Sequence, residues 1–366
     1  MRLLNLDLTD YRCYEKAQLL LPSGITVIAG RNAQGKTNLL ESVFLCCAGK
    51  SHRTSKEDEM IRLSAEYCHV KAAFERGNVR HDIHMTLKRG GRKRILFDGT
   101  AVKRTADFVG QMQAVLFSPE NIQIIKDSPA RRRAYMDVAL SQVYKSYLRA
   151  LMDYNKALSM RNALLKQGVD GSAWSTLEVF ETQLAHYGAM VMQSRRMFCQ
   201  EAGPKARELQ SKISSGADEL SLSYVPNIAC DAGQEESAIL EKFKKERERD
   251  ILRRVTGSGP HRDDMLLQVN GLDARLFASQ GQQRTVALSI KMAELDFMRE
   301  HTGNRPILLL DDVFGELDAA RRQQLLTAVG DCQTILTCTN VEALPLDRSR
   351  IDALYKVDQA NVTLWE

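Results

Sequence analysis

Two stretches far apart in this 366-residue chain carry residue types suited to a phosphorylated ligand. The first is Gly30-Arg31-Asn32-Ala33-Gln34-Gly35-Lys36-Thr37-Asn38, which follows the apolar run Ile25-Thr26-Val27-Ile28. A G-x-x-x-x-G-K-T spacing between a strand and a helix makes a phosphate loop. Gly30 and Gly35 let backbone N–H groups turn inward as an anion nest, and the helix opening near Lys36 adds its positive end. Lys36 would reach the outer phosphates and the Thr37 hydroxyl is placed for Mg²⁺. The second stretch is Pro306-Ile307-Leu308-Leu309-Leu310-Asp311-Asp312, a buried strand ending in two carboxylates. Beside a phosphate loop, Asp311 would hold Mg²⁺ and Asp312 would orient or deprotonate an attacking water.

A third stretch, Ser279-Gln280-Gly281-Gln282-Gln283-Arg284, stands before a helix whose Val286, Leu288, Ile290, Leu295 and Met298 make an apolar face. Ser279 suits an N-cap, Gly281 permits close approach, and the helix dipole favours an anion. One nucleotide does not need two such helix ends. The economical expectation is that this one grips the γ-phosphate held by a second copy of the chain.

The elements that must position these residues are those of an α/β protein. Leu4, Leu6 and Leu8 alternate as a half-buried strand does, and Leu39, Leu40, Val43, Phe44 and Cys47 recur at helical spacing after the loop. Further strands are expected at 69–76, 82–88, 94–97 and 114–117, with Gly90-Gly91 as a hairpin turn. The character changes at Ser118-Pro119. Leu140, Val143, Tyr147, Leu151, Tyr154 and Leu158 follow three-four spacing, and a second helical stretch covers 174–200 after the break at 168–172. These predict an antiparallel helical hairpin whose first leg, if unbroken, spans ~55 Å. Strands return after Gly216. The expected organisation is an N-terminal head part at 1–119, a helical insertion at 120–215 and a C-terminal head part at 216–366.

Composition is ordinary for a soluble globular chain, with 44% hydrophobic and 27% charged residues. No apolar run reaches the ~18 residues of a membrane span and the N-terminus has no signal-peptide pattern. The eight cysteines form no C-x-x-C pair, which predicts neither a zinc site nor a disulfide framework and fits a cytoplasmic location. Net charge is +5, yet residues 71–104 alone hold ten basic residues against three acids. Such a concentration predicts a polyanionic partner, with Lys88-Arg89-Gly90-Gly91-Arg92-Lys93-Arg94 at a hairpin tip touching DNA phosphates. Arg131-Arg132-Arg133 opens a helix where cations are unfavourable, which suggests a role in binding. Arg195-Arg196 and Arg253-Arg254 read as solvated faces, and His261, with no second histidine nearby, as polar packing rather than a metal ligand.

The segments Gly30–Thr37, Ser279–Gln283, Leu308–Asp312 and Glu316-Leu317-Asp318 stand in the order of an ABC/SMC-type ATPase head. Within that class the chain resembles the RecF family of bacterial DNA-repair ATPases, through 114–120, 131–137, 154–165, 259–264, 279–284 and 310–318 together. The resemblance implies a P-loop ATPase head with an inserted, mainly helical domain. It implies ATP and Mg²⁺ as cofactors, binding of gapped and duplex DNA without sequence preference, an ATP-dependent homodimer, and work with RecO and RecR in loading RecA. By position it makes Lys36, Asp311 and Asp312 catalytic and Thr37 and Asp311 the metal residues. Ser279, Gly281 and Gln282 become the signature contacted across the dimer, with Asp318 beside it. Asp312 stands where many such heads carry Glu, one methylene longer, so slow turnover is expected. Asn340 stands near where transporter heads carry a switch histidine. A transporter energy-coupling subunit is disfavoured by that difference and by the basic hairpin. An SMC-type chromosome organiser is disfavoured by the short arm, and a scaffold with a dead ATP site by the intact Lys36, Thr37, Asp311 and Ser279.

Overall fold

Strand Ile25–Ala29 is buried at every position because parallel neighbours flank it, Thr334–Cys338 on one side and Ile351–Asp358 on the other. The computed structural model describes all residues except Ser172, Gly330, Asp331 and Glu366, and the backbone alone of Glu316. Ser172, part of the expected helix break, and the Glu316 side chain therefore lie outside the described residues.

The sheet containing that strand runs Asn361–Leu364, Ile351–Asp358, Ile25–Ala29, Thr334–Cys338, Ile307–Asp311, Ala114–Phe117. Only the edge strand Asn361–Leu364 is antiparallel. Uninterrupted burial of Ile25–Ala29, Thr334–Cys338 and Ile307–Asp311 is what a parallel sheet covered on both faces requires. Register pairs Ile28 with Thr337 and Thr337 with Asp311, so the marked strand ends lie along one carboxyl edge, where open α/β sheets bind ligands.

A second, antiparallel sheet runs Tyr14–Leu20, Arg2–Tyr11, Tyr67–Arg76, Val79–Lys88, Arg94–Phe97, Thr100–Ala101. Its first strand departs from the expected alternation. A bulge between Leu3 and Asn5 shifts the phase, so Leu3, Leu6 and Leu8 are buried while Leu4 is only half-buried. Helix Lys36–Ala48 packs against both sheets. It is therefore buried on nearly all sides, Glu41, Ser42, Leu45 and Cys46 included, beyond the stripe read from the sequence.

By compactness the chain forms two units, 1–121 with 291–366, and 122–290. The sequence puts the return to the head at 216, whereas the second unit continues to Ile290. The reason lies in strand Leu220–Val225, which packs on the long helix Ala173–Ile213 and pairs with Asp264–Val269. That strand turns at Asn270-Gly271, both at positive φ, into Leu272–Asp273.

The helical hairpin is present in the second unit, with two corrections. Its first leg is broken at Tyr144, whose extended backbone separates Pro129–Val143 from Lys145–Gln167. Its second leg is a single 41-residue helix, ~60 Å long, carrying Pro204 in its interior. Tyr154, Ala157, Leu184, Ala185 and Met192 from the two legs pack with Ile239 and Phe243 of helix Glu235–Arg253.

Candidate functional site

The phosphate loop leaves strand Ile25–Ala29 and reaches its helix through Gly35, at φ 110°. An L side chain there would be strained. At Gly30 the reason is proximity, since a Cβ would lie 2.4 Å from the Val357 carbonyl oxygen. Gln34 Oε1 accepts from Gln359 N–H at 2.5 Å, tying the loop to the C-terminal hairpin. Arg31, Asn32 and Ala33 are exposed.

Lys36 folds back over the loop and donates to the carbonyls of Gly30 (2.6 Å) and Arg31 (3.0 Å). Burial pushes its pKa down, opposed by the charge of Asp312. Thr37 Oγ1 donates to Asp311 Oδ1 at 3.0 Å, joining two motifs 274 residues apart. Thr337 on the intervening strand donates to the same oxygen at 2.8 Å, and its Oγ1 accepts from Asp312 N–H at 2.9 Å. Asp312 itself sits at φ 50°, a conformation more accessible to Asp than to most residues.

This donor set suits a hard divalent cation with a nucleoside triphosphate. Asp311 is buried, and burial raises its pKa, with the neighbouring charge of Asp312 adding to the effect. The hydroxyl hydrogen bonds from Thr337 and Thr37 oppose the shift, and a cation would oppose it further. Among the described residues no cluster of three His, Cys, Asp or Glu forms a closed metal cage. Mg²⁺ does not require one, since it is held by one or two carboxylates, waters and substrate phosphates.

Ser279, Gly281 and Gln282 belong to the second unit. Ser279 Oγ accepts from Gln282 N–H (3.2 Å), and Gln282 Oε1 accepts from Ser279 N–H (2.9 Å). This is a reciprocal capping box, formed by Gln three residues after the cap. Asp318 likewise caps its helix, accepting from Arg321 N–H at 3.0 Å. Asn340 Oδ1 accepts from Glu342 N–H.

Three features were not read from the sequence. Thr337 holds the Asp311 carboxylate and the Asp312 backbone, and only its strand neighbour Asp311 gives it meaning. Arg53, in the loop after the phosphate-loop helix, donates from Nη1 to Asn38 Oδ1 at 2.9 Å, and its charge is felt by Asp311. Arg12 makes a bidentate pair with buried Glu41 of the same helix (2.8 and 2.6 Å), fixing the turn Arg12-Cys13 beside the loop. Arg12, Cys13, Asn38 and Arg53 line an open cavity of about 650 Å³.

The basic segments are largely not what their composition implied. Lys93 donates to the Gly49 carbonyl and to Glu57, while Arg89 donates to the carbonyls of Ala65 and Arg62. The acids that compensate the hairpin lie at 57–66, outside the basic window. Arg89 is nevertheless exposed, as are Lys71, Arg80, Lys88, Arg92, Arg94, Lys103 and Arg104. Arg132 pairs with Asp264 through two hydrogen bonds and Arg133 donates to the Asp263 carbonyl, so both hold the fold. Arg195, expected on a solvated face, is buried and donates to Asp137 and to the Pro260 carbonyl. His261 packs as the sequence implied. Its Nε2 faces the Thr256 carbonyl and so must donate, which leaves Nδ1 to accept from Tyr154 OH at 2.7 Å.

The family model described as RecF/RecN/SMC N terminal domain matches residues 2–362. A protein of Lachnoclostridium phytofermentans named DNA replication and repair protein RecF is 43% identical over 359 residues, which cover 98% of each chain. The chain belongs to the RecF family. A solved structure described as the recombination mediator protein RecF-ATP in RecFOR pathway superposes with TM-score 0.92 at 33% identity, covering 100% of this chain and 97% of the other. The Smc head domain of Pyrococcus furiosus, 16% identical with TM-score 0.56 over 99% and 95% of the two chains, shares the fold. RecF-family membership makes this an ABC/SMC-type ATPase head, and among the described residues no helix is long and apolar enough to cross a membrane.

Proposed function

We propose that this protein is an ATP-switched DNA-binding protein of recombinational repair. Gly30 to Asn38 cradle the triphosphate of ATP, with Lys36 leaving its two carbonyls for the outer phosphates. Thr37 and Asp311 would hold Mg²⁺, which neutralises charge developing on the phosphates. Asp312, half-exposed beside Asp311, orients or deprotonates the attacking water, and its short side chain makes turnover slow. A second copy closes on the nucleotide through Ser279, Gly281 and Gln282, and hydrolysis reopens the dimer. The closed dimer holds gapped or duplex DNA through phosphate contacts without sequence preference. RecO and RecR are the partners with which it loads RecA, in the cytoplasm. The solved RecF-ATP in RecFOR pathway supports this assignment of ligand and pathway.

The observation that carries the reading is the 3.0 Å contact between Thr37 Oγ1 and Asp311 Oδ1, which joins the phosphate loop to an acidic strand end. The test is fluorescence anisotropy of a labelled gapped duplex titrated with the protein in ATP, in ADP and without nucleotide. ATP should tighten binding, and Lys36→Ala should abolish the difference. Affinity indifferent to nucleotide would overturn the switch.

A further inference from the structure

The capping box at Ser279 uses only one end of the Gln282 amide. Gln282 Nε2 donates to Asp218 Oδ1 at 2.8 Å. The second oxygen, Oδ2, accepts from Gln210 Nε2 at 3.3 Å, and Gln210 lies fully buried near the end of the long helix. The other end of that amide, Oε1, accepts from Ser289 Oγ at 3.2 Å. Ser289 is also fully buried and stands seven residues beyond Gln282, two turns along the same helix face. Asp218 N–H is anchored on Ser214 Oγ at 3.0 Å. All these residues belong to one unit.

Asp218 and Gln210 thus brace the Ser279 helix at two points on one face. Both carboxylate oxygens of Asp218 are engaged by amide N–H donors, and each amide hands its oxygen on to a group of that helix. A carboxylate can only accept, so it fixes which way both amides point. Gln282 Oε1 is thereby directed at Ser279 N–H, and the first helical turn has one arrangement. Without the carboxylate, the Gln282 amide could flip and leave Ser279 N–H without its partner.

We propose that Asp218 is a positioning residue for the Ser279–Gln282 turn, presetting it to receive the nucleotide carried by a second copy. Through Gln210 it makes closure of two copies depend on the end of the long helix. This rests on the cross-copy role proposed above for Ser279.

The test uses the full-length protein, with ATP-dependent dimerisation read by sedimentation velocity and binding of a fluorescent ATP analogue read at concentrations where the protein is monomeric. Asp218→Ala should weaken dimerisation about tenfold, the scale of a lost charge-assisted hydrogen bond, while analogue affinity stays within about twofold. Gln282→Glu alone sets two carboxylates against each other and should weaken it at least as much. Gln282→Glu and the exchange Asp218→Asn with Gln282→Glu both set a carboxylate where Gln282 would meet the nucleotide. The exchange should therefore recover only the part of dimerisation that the lost Asp218 contact accounts for, and dimerise more tightly than Gln282→Glu alone. In it the new amide at position 218 donates from Nδ2 to the new carboxylate at position 282. That carboxylate still accepts from Ser279 N–H, and the amide oxygen at 218 still accepts from Gln210. If Asp218→Ala dimerises like the parent, or the exchange is no better than Gln282→Glu, the positioning role is overturned. Should Asp218→Ala fold poorly, the comparison of the exchange with Gln282→Glu still decides. Ser279→Arg is the separate control: if it too dimerises normally, the cross-copy reading itself falls.

Discussion

The charges of the phosphate-loop site and those of the helical hairpin are held in opposite ways. Lys36 rests on two backbone carbonyls, and Asp311 accepts from two neutral hydroxyls. These are weak, local partners that a triphosphate and a cation can replace. In the hairpin, fully buried Arg161 donates to Asp250 (2.7 Å), Thr256 (2.8 Å) and Glu181 (2.9 Å) and stacks over Phe243. Arg195 is similarly enclosed by Asp137, Asp263 and the Pro260 carbonyl. A charge met by opposite charge is part of the fold, whereas a charge left on replaceable partners is available for chemistry. The difference makes function a matter of whether a charge is met by opposite charge or by neutral groups, not of charge density.

The sharpest way to break this comparison is to remove a cation held by buried carboxylates. Arg161→Met strands Asp250 in the interior and should destabilise the second unit by about 3–5 kcal/mol. Thermal melting followed by circular dichroism checks it, and a parent-like melting curve would dissolve the distinction.

Acid probes one histidine in each unit. Burial lowers His52 and His261 to about 4, from an ordinary value of 6.5. A depressed folded-state pKa contributes stability that is present above pH 6.5 and lost as pH falls through about 4, because the unfolded chain takes up the proton first. Each should lose about 1.4 kcal/mol per pH unit within that window, roughly 3 kcal/mol in all. His261→Asn should flatten the acid limb of denaturant-measured stability by that amount. An unchanged limb would mean that His261 takes up its proton as readily in the folded chain as in the unfolded one.

Asp311 runs the other way. Its folded pKa is raised, so its contribution favours folding at low pH and is lost as pH rises; at neutral pH the ionised group strains the fold. Asp311→Asn should therefore abolish Mg²⁺-dependent hydrolysis while raising the melting temperature by about 1–3 °C, the response to roughly 1 kcal/mol. A lower melting temperature would class Asp311 with the charge-paired groups of the hairpin.

What could be read in the sequence divides along the same line. Gly30–Thr37, the apolar strand ending at Asp311 and the cap at Ser279 announce themselves within a few residues, because backbone geometry and helix ends impose local spacing. The buried strands at 25–28 and 307–311 followed from their apolar runs, but which strands flank them did not. Arg161 could not be placed, because Asp250 lies 89 residues away and nothing local distinguishes a buried arginine from a solvated one. Thr337 was hidden for the same reason, its role existing only through strand pairing with Asp311. The bulge at Leu3 and the break at Tyr144 are single-residue events that periodicity averages away.

The hairpin tip holds both kinds of cation within six residues and gives the smallest but cleanest test. Arg89 and Lys93 donate to Gly49, Glu57, Arg62 and Ala65, whereas Arg92 and Arg94, exposed as Arg89 is, have side chains not committed to the loop at 57–66. Replacing an exposed cation that meets a phosphate removes one released counterion, so the slope of log K against log salt should fall by about 0.9 per residue on duplex. Arg92→Ser with Arg94→Ser should thus reduce the slope by about two and weaken binding several-fold, with melting unchanged. Arg89→Ser with Lys93→Ser should leave the slope alone and loosen the loop, lowering the melting temperature instead. If the two pairs gave the same slope, density of charge would matter more than how each charge is held.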